Sequence, residues 1–396
     1  MTSSAATPAT RTFAVCGSTG KATTCYIVEH MVAAIGRSTA IHSTVESKVG
    51  AQRTPIERDR QPDLVALRRQ AQAEQIDDVI LELQWPDFSE DSAAGLGLDF
   101  AAFTHIDPAY EGDALEVHRR QAIAALSAAG RAVVLVDSPQ ALELAEQVPG
   151  AITVGTRSKG PDADWLASVN HSAGDHMDFT ITHRSGRSVS MSLWLPARFS
   201  VGLAALALVM VMEAGASIAT LARALPQGLR PVVPGRMERV ANHPRCIVDI
   251  SHTPARLARA LEPLRRTTKK DLVVVVAARV DDSPQTRRQL GEVAAIADSV
   301  VVTDDDYGAD IDAGAIRADV LAGAAAAGAA KLAEVSPRRV AIRGAVALAG
   351  RDDTVLISGR GHLTRLEVAG TIEHVDDRAE ARAGLTQREG RNTEPE

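Results

Sequence analysis

The segment Gly17-Ser18-Thr19-Gly20-Lys21 carries the residue types and spacing best suited to chemistry in this chain. A short apolar run, Phe13 to Cys16, enters it, and a helical pattern from Thr23 to Ile35 leaves it. Strand, glycine-containing turn, lysine and helix N-terminus are the parts of a phosphate cradle. Backbone N–H groups and the helix dipole hold the oxygens, and the lysine adds a point charge. The same spacing also fits a surface turn with an incidental lysine. The usual cradle has Ser or Thr directly after the lysine, to place a hydroxyl on Mg²⁺. Ala22 stands there, and Thr23 and Thr24 are shifted around the helix. Cys16 reads as a small core residue rather than a nucleophile, because no base is identifiable near it.

The elements that would position this loop alternate between strand and helix. Val79 to Leu83, Ala101 to Thr104, Val133 to Val136 and Ala151 to Val154 have strand length, and Glu116 to Ala129 and Gln140 to Gln147 read as helices. That alternation predicts an α/β fold with a mainly parallel sheet. Residues 178–183 and 188–194 alternate around Ser185-Gly186 and predict a hairpin. Two apolar helices follow, Val201 to Ala214 and Ser217 to Leu225. Pro226, Pro231, Pro234 and Gly235 then mark a boundary. Beyond it Arg245 to Ile250, Leu272 to Ala277, Ser299 to Thr303 and Thr354 to Ser358 read as strands. Pro254 to Leu264 and Ala313 to Ala327 read as helices of a second, smaller α/β unit. The expected domains are 12–233 and 234–386, with disordered tails at 1–11 and 387–396.

Composition excludes several functions. The 43 Lys and Arg against 50 Asp and Glu give a net charge of −7, and only 3% of residues are aromatic. A nucleic-acid binder needs a basic surface and stacking rings. Three scattered cysteines exclude a disulfide scaffold and a cysteine zinc site. The apolar run from Val201 to Met212 is too short to span a bilayer. A cytoplasmic location is expected.

Several runs in order resemble the Mur ligase family. GSTGKATTCYIVEHMVAAIG resembles its phosphate loop and following helix, and PARFSVGLAALA the start of its linker-helix region. PGRMERV, VDISHTPARLARAL, ISGRGH and VDDRAEAR resemble motifs of its C-terminal domain. The branch it is most similar to is the MurE type, which adds the third amino acid to the peptidoglycan precursor. The resemblance implies a central P-loop-type parallel-sheet ATPase domain followed by a smaller Rossmann-like α/β domain. It also implies ATP- and Mg²⁺-dependent amide formation from a small-molecule carboxylate and an amine, through an acyl phosphate, at a site between the two domains.

Carried over position by position, the resemblance assigns Lys21 to the phosphates with Gly17, Ser18, Thr19, Gly20, Thr23 and Thr24. Glu82 and Thr23 would hold Mg²⁺, and Lys21, Glu82 and His252 form the implied catalytic set. Arg236, Asp249, Asp376 and Arg378 match cofactor-side positions, with Glu238 in the same turn as Arg236 and Asp377 within the D-D-R motif. Other readings apply to some of these. Glu82 also fits a solvated strand end. Thr253 and Pro254 make a helix start whether or not His252 acts. Acidic residues also suit the helix N-terminus at Asp376 and Asp377.

The departures concentrate on function. The phosphate loop begins at residue 17, where the family has a preceding UDP-sugar-binding domain, so a substrate other than a UDP-muramyl peptide is expected. Pro108 falls where the family has a metal-binding His, and Gln121 where it has a carbamylated lysine. Lysine does not occur between Lys48 and Lys159. His105, Asp107, Glu111 and His118 are replacement ligands or simply a polar loop and helix face. Leu203 stands at an adenine-contacting Asn, and Leu363 at a Glu that helps recognise the acceptor. Asp305-Asp306-Tyr307-Gly308 replaces D-N-P-R, whose Arg grips the acceptor carboxylate. Asp305 and Asp306, with Arg360 and His362, are therefore the implied substrate-binding set, suited to a cationic amine. Two readings stay open: a divergent ligase on a smaller substrate, or a catalytically inactive binding or scaffold subunit. A homo-oligomer or a partner protein is compatible with either.

Overall fold

The computed structural model describes residues 10–56, 63–84, 95–106, 112–156, 162–173, 176–195 and 198–391. The expected candidates Asp107, Pro108 and Glu111 lie outside them. The chain forms two compact units, Met1–Pro231 and Val232–Glu396.

The first unit contains strands β1 (Arg11–Cys16), β2 (Thr39–His42), β3 (Glu46–Val49), β4 (Gln52–Pro55), β5 (Asp78–Glu82), β6 (Phe100–Phe103), β7 (Arg131–Leu135), β8 (Ile152–Thr156), β9 (Trp165–Ala173), β10 (His176–His183) and β11 (Ser188–Leu193). Its helices are α1 (Lys21–Ala34), α2 (Leu64–Ala73), α3 (Gly112–Ser127), α4 (Pro139–Glu146), α5 (Phe199–Glu213) and α6 (Ile218–Ala224). The strands make one sheet in the order β11-β10-β9-β8-β7-β6-β1-β5-β2-β3-β4. Its centre, β2-β5-β1-β6-β7-β8-β9, is parallel, with antiparallel extensions at both ends. The central strands are apolar on successive residues because helices cover both faces. Phe13, Val15, Ile80 and Leu81 are fully buried.

α5 is apolar all round and buried from Ser200 to Val211, as a helix packed on every side must be. Among the described residues no single helix is long and apolar enough to cross a membrane, and α5 and α6 together bend by 119°. Arg11, placed in a tail by its sequence, instead opens β1. Its guanidinium pairs with Asp78, which also holds Arg37.

The second unit has strands β12 (Glu238–Asn242), β13 (Arg245–Asp249), β14 (Leu272–Val276), β15 (Ser299–Val302), β16 (Lys331–Glu334), β17 (Thr354–Ser358), β18 (Arg365–Val368) and β19 (Thr371–His374). Its helices are α7 (Pro254–Thr267), α8 (Pro284–Ala294), α9 (Ala313–Ala326), α10 (Arg338–Leu348) and α11 (Asp377–Arg391). The main sheet runs β12-β13-β17-β14-β15-β16, parallel except for β12, and β18-β19 is a separate hairpin. The tail expected from 387 is helical over 387–391, since α11 continues to Arg391.

α8 and α9 cross at two glycines. A Cβ on Gly291 would lie 2.0 Å from Val320 O, and one on Gly323 would lie 1.9 Å from Arg288 O. Only glycine permits that approach.

Candidate functional site

In the first unit the loop after β1 sits at the carboxyl end of the parallel strands, where ligands bind in open α/β sheets. Gly17 (φ 126°) and Gly20 (φ 85°) take conformations that favour glycine. A Cβ on Gly17 would lie 2.3 Å from Thr104 Oγ1. The loop is tied to the segment after β6. Ser18 donates its N–H (2.7 Å) and its hydroxyl (2.9 Å) to His105 O, and Thr104 Oγ1 donates to Thr19 O at 2.7 Å. α1 then starts at Lys21 with Gly20 as cap and no acidic residue in its own first turn, which leaves the dipole's positive end uncompensated from within the helix.

Lys21 and Glu82 are brought together. Both are buried, with Lys21 Nζ 4.0 Å from Glu82 Oε1. Glu82 Oε2 accepts from Thr44 N–H (2.7 Å) and the Thr44 hydroxyl (3.0 Å). Thr44, just past β2, was missed, because a threonine after a strand carries no signal that it orients a carboxylate 38 positions away.

Thr23 is partly exposed, next to the cradle. Thr24 departs from expectation. It is fully buried, and its hydroxyl donates to Gly20 O one turn back (3.0 Å), so it is spent inside the helix rather than on a cofactor. Leu203, on α5, lies against the loop: its Cδ2 would be 2.8 Å from a Cβ on Gly20. Gln121 is on α3 with a buried carbonyl oxygen lacking a hydrogen-bond partner. His118, on the same helix, is bonded through Nδ1 to Ala114 O at 2.6 Å. Burial pushes Cys16 up to about 12 despite Lys21, consistent with an inert core thiol. Among the described residues no cluster of three or more His, Cys, Asp or Glu is arranged to hold a metal.

In the second unit the matched motifs converge on the carboxyl end of that sheet. The turns at Gly235 and Gly361 meet backbone to backbone, since a Cβ on Gly235 would lie 2.1 Å from His362 N. Arg236 Nη1 lies 3.1 Å from His362 Nδ1. Asp249 accepts from Met237 N–H (2.7 Å) and Ser251 N–H (2.9 Å). It thereby holds Met237 in a left-handed conformation (φ 49°) that non-glycine residues rarely adopt.

His252 hydrogen-bonds through Nδ1 to Ile250 O (2.7 Å), which leaves Nε2 as an acceptor. Burial, with Arg279 and Arg256 nearby, lowers it to about 4, so it is neutral at ordinary pH. Thr253 caps α7 and Pro254 takes its first position, as the sequence predicts.

Asp376 holds Arg378 through a bidentate pair (2.8 and 2.9 Å), and Arg378 reaches Glu238 at 3.9 Å. Asp377 faces inward. It pairs with Arg338 at 2.8 and 2.7 Å, and both side chains are fully buried. Arg338 was not anticipated, because its partner is 39 positions away.

Asp305 and Asp306 share one cation. Arg360 Nη1 bonds Asp305 and lies 3.0 Å from Asp306 Oδ2, while its Nη2 bonds Arg365 O. Burial alone would raise the Asp305 carboxyl, but Arg360, with Arg338 behind it, holds it below the usual range. Arg360 is thus committed to these two carboxylates and to the Arg365 carbonyl.

A phosphate cradle with a buried Lys–Glu pair, followed by a second parallel α/β unit, defines the architecture of an ATP-dependent ligase. The Mur ligase middle domain matches residues 15–211, and the Mur ligase glutamate ligase domain matches residues 235–361. The UDP-N-acetylmuramoyl-L-alanyl-D-glutamate–2,6-diaminopimelate ligase of Corynebacterium glutamicum is 31% identical over 397 residues, covering 94% of this chain and 75% of the relative. The UDP-N-acetylmuramyl-tripeptide synthetase of Deinococcus radiodurans is 32% identical over 402 residues, covering 94% and 78%. The chain belongs to the Mur ligase family, whose members are ATP-dependent carbon–nitrogen ligases that use ATP and Mg²⁺.

Solved structures share the fold. A diaminopimelate ligase superposes with a TM-score of 0.68 at 22% identity, covering 98% of this chain and 80% of the other. The Yersinia pestis folylpolyglutamate synthase/dihydrofolate synthase bound to AMPPNP and Mn superposes with 0.63 at 18%, covering 89% and 86%.

The first-unit residues fit these cofactors. The glycine cradle and Lys21 suit nucleotide phosphates. Glu82, with one oxygen toward Lys21, suits Mg²⁺, which is commonly held by one or two carboxylates plus phosphate oxygens.

Proposed function

We propose that this chain is an acid–amine ligase that activates a small-molecule carboxylate as its acyl phosphate and joins it to an amine other than one gripped by its own carboxylate. The carrying observation is the Asp305–Asp306–Arg360 cluster, which stands where the family keeps a carboxylate-binding arginine. A turn that presents two carboxylates in place of an arginine, with Arg360 already committed to them, disfavours a free α-carboxylate and favours an acceptor with only its amine to present. The curated relatives act on UDP-muramyl peptides, as their names say.

ATP would supply the phosphoryl group and Mg²⁺ would neutralise its developing charge. The Gly17–Gly20 backbone and the α1 N-terminus bind the phosphates, and Lys21 supplies a positive charge to their oxygens. Thr44 fixes the Glu82 carboxylate for the cation. His252, neutral and donating through Nδ1, offers Nε2 as an acceptor for a substrate N–H.

The test is acid- and amine-dependent ADP release with Mg²⁺, over panels of amines with and without an α-carboxylate. Lys21→Ala is expected to lower the rate roughly 10²–10³-fold, the usual loss for one electrostatic group at a transferring phosphoryl. ATP binding that is undetectable, together with an unchanged Lys21→Ala variant, refutes catalysis and leaves the scaffold reading.

A further inference from the structure

Thr104 directly follows β6 and is buried beneath the phosphate loop. Its N–H donates to Cys16 O at 3.0 Å. Its hydroxyl lies 3.1 Å from that same oxygen and reaches Thr19 O at 2.7 Å. The Thr104 backbone thus already serves Cys16 O, and the partner that only the hydroxyl supplies is Thr19 O. The loop rests directly on this side chain, since a Cβ on Gly17 would meet Thr104 Oγ1 at 2.3 Å.

The bond to Thr19 O fixes more than a carbonyl. Thr19 C=O and Gly20 N–H belong to one planar trans peptide, in which they point in opposite directions. Turning the carbonyl onto Thr104 therefore turns Gly20 N–H away from β6. Gly20, at φ 85°, does not set that orientation itself, because glycine populates both signs of φ about as readily. A flipped peptide would aim a carbonyl oxygen, instead of a donor, at an anion bound beside Lys21. The preceding peptide is held separately: Ser18 donates its N–H and its hydroxyl to His105 O at 2.7 and 2.9 Å. Ser18 N–H is thereby spent within the protein, which puts more weight on the donors that follow it.

We infer that Thr104 is a positioning residue for nucleotide binding, its hydroxyl holding the Thr19–Gly20 peptide so that Gly20 N–H faces a nucleotide phosphate. The inference rests on the ligase reading for the nucleotide and adds the side chain that aims the cradle's donor.

The experiment titrates the full chain with Mg²⁺–ADP by calorimetry, below the thermal transition of each variant. Thr104→Val keeps the shape of the side chain and removes the hydroxyl. It should raise the Kd roughly tenfold, about the effect of one hydrogen bond to a charged group, whereas Thr104→Ser should stay within about twofold of the parent. A purely structural role predicts a lower Tm for Thr104→Val with its affinity for Mg²⁺–ADP unchanged, and that result overturns the inference.

A second measurement follows the donor itself. The Gly20 amide resonance should shift saturably on adding Mg²⁺ and pyrophosphate to the parent and to Thr104→Ser, and should not shift in Thr104→Val. If Thr104→Val does not fold, the parent still decides. Mg²⁺–ADP binding with an unmoved Gly20 amide under pyrophosphate overturns the inference and leaves the ligase reading standing. A parent that binds neither Mg²⁺–ADP nor pyrophosphate refutes the ligase reading and the inference with it.

Discussion

Asp377 lies in the D-D-R segment that resembles a nucleotide-binding motif, yet its carboxylate is committed to Arg338 in the interior. Asp377→Asn keeps the shape of the side chain and removes its charge. Arg338 then stays ionised without its paired carboxylate and without solvent, since both side chains are fully buried, and Asp305 and Asp304 are the carboxylates still acting on it. Its remaining bonds to Ser358 O (2.9 Å) and Asp304 O (3.4 Å) are to neutral carbonyls. Breaking a buried pair in this way costs about 3–5 kcal/mol. For a unit of this size each kcal/mol moves the midpoint by about 2–4 °C, so Tm should fall by about 6–20 °C. All three tryptophans precede the second unit, so calorimetry rather than fluorescence is the assay. The double variant Arg338→Met/Asp377→Leu should return to within about 1–2 kcal/mol of the parent, because no charge is then stranded. Below its transition, Asp377→Asn should bind ATP within about twofold of the parent, as a change remote from the ligand does. A Tm shift under about 2 °C combined with a tenfold or greater loss of ATP affinity would refute the structural role assigned to Asp377.

Gly323→Ala places a methyl 1.9 Å from Arg288 O and should destabilise the second unit by about 3 kcal/mol or more, seen as a lower urea midpoint. Gly344→Ala, inside α10 with no atom within 4 Å of the new Cβ, should instead stabilise by about 0.5–1 kcal/mol. His252 has a folded-state value lowered to about 4 from an ordinary value near 6.5. Its contribution to stability is therefore complete above about pH 6.5, is lost as pH falls toward 4, and totals about 3 kcal/mol at most. His252→Gln should flatten the pH dependence of the unfolding free energy across that window, and an unchanged slope would show that His252 is not held neutral by the fold.

The central strands β1, β5, β6, β7 and β8 were legible because burial on both faces writes itself as a continuous apolar run, whereas β2 and β9 of the same parallel centre were not read. Thr354 to Ser358 was placed without error, and the phosphate loop and its helix within two residues. The strands β3, β4 and β16 were not seen. ESKV, QRTP and KLAE lie at or next to sheet edges, where little is buried and no alternation is required. The motif positions were legible one by one, but their partners were not. Arg360 and Asp305 are 55 positions apart and Glu82 and Thr44 are 38 apart, and local pattern holds no information about such pairs. Thr24 failed for the opposite reason. Its type suits a ligand, but its helical phase points the hydroxyl back along its own turn.

The sharing of Arg360 between Asp305 and Asp306 also constrains how this chain can change. Replacing Arg360 alone removes the cation that two acidic groups share, one of them almost fully buried. An arginine restored at the acceptor turn, at position 308, would compete with Arg360 for the same two carboxylates. Acceptor choice therefore depends on how Arg360 and the two carboxylates are paired. The three positions are epistatic, and a library built to broaden the accepted amines should vary them together.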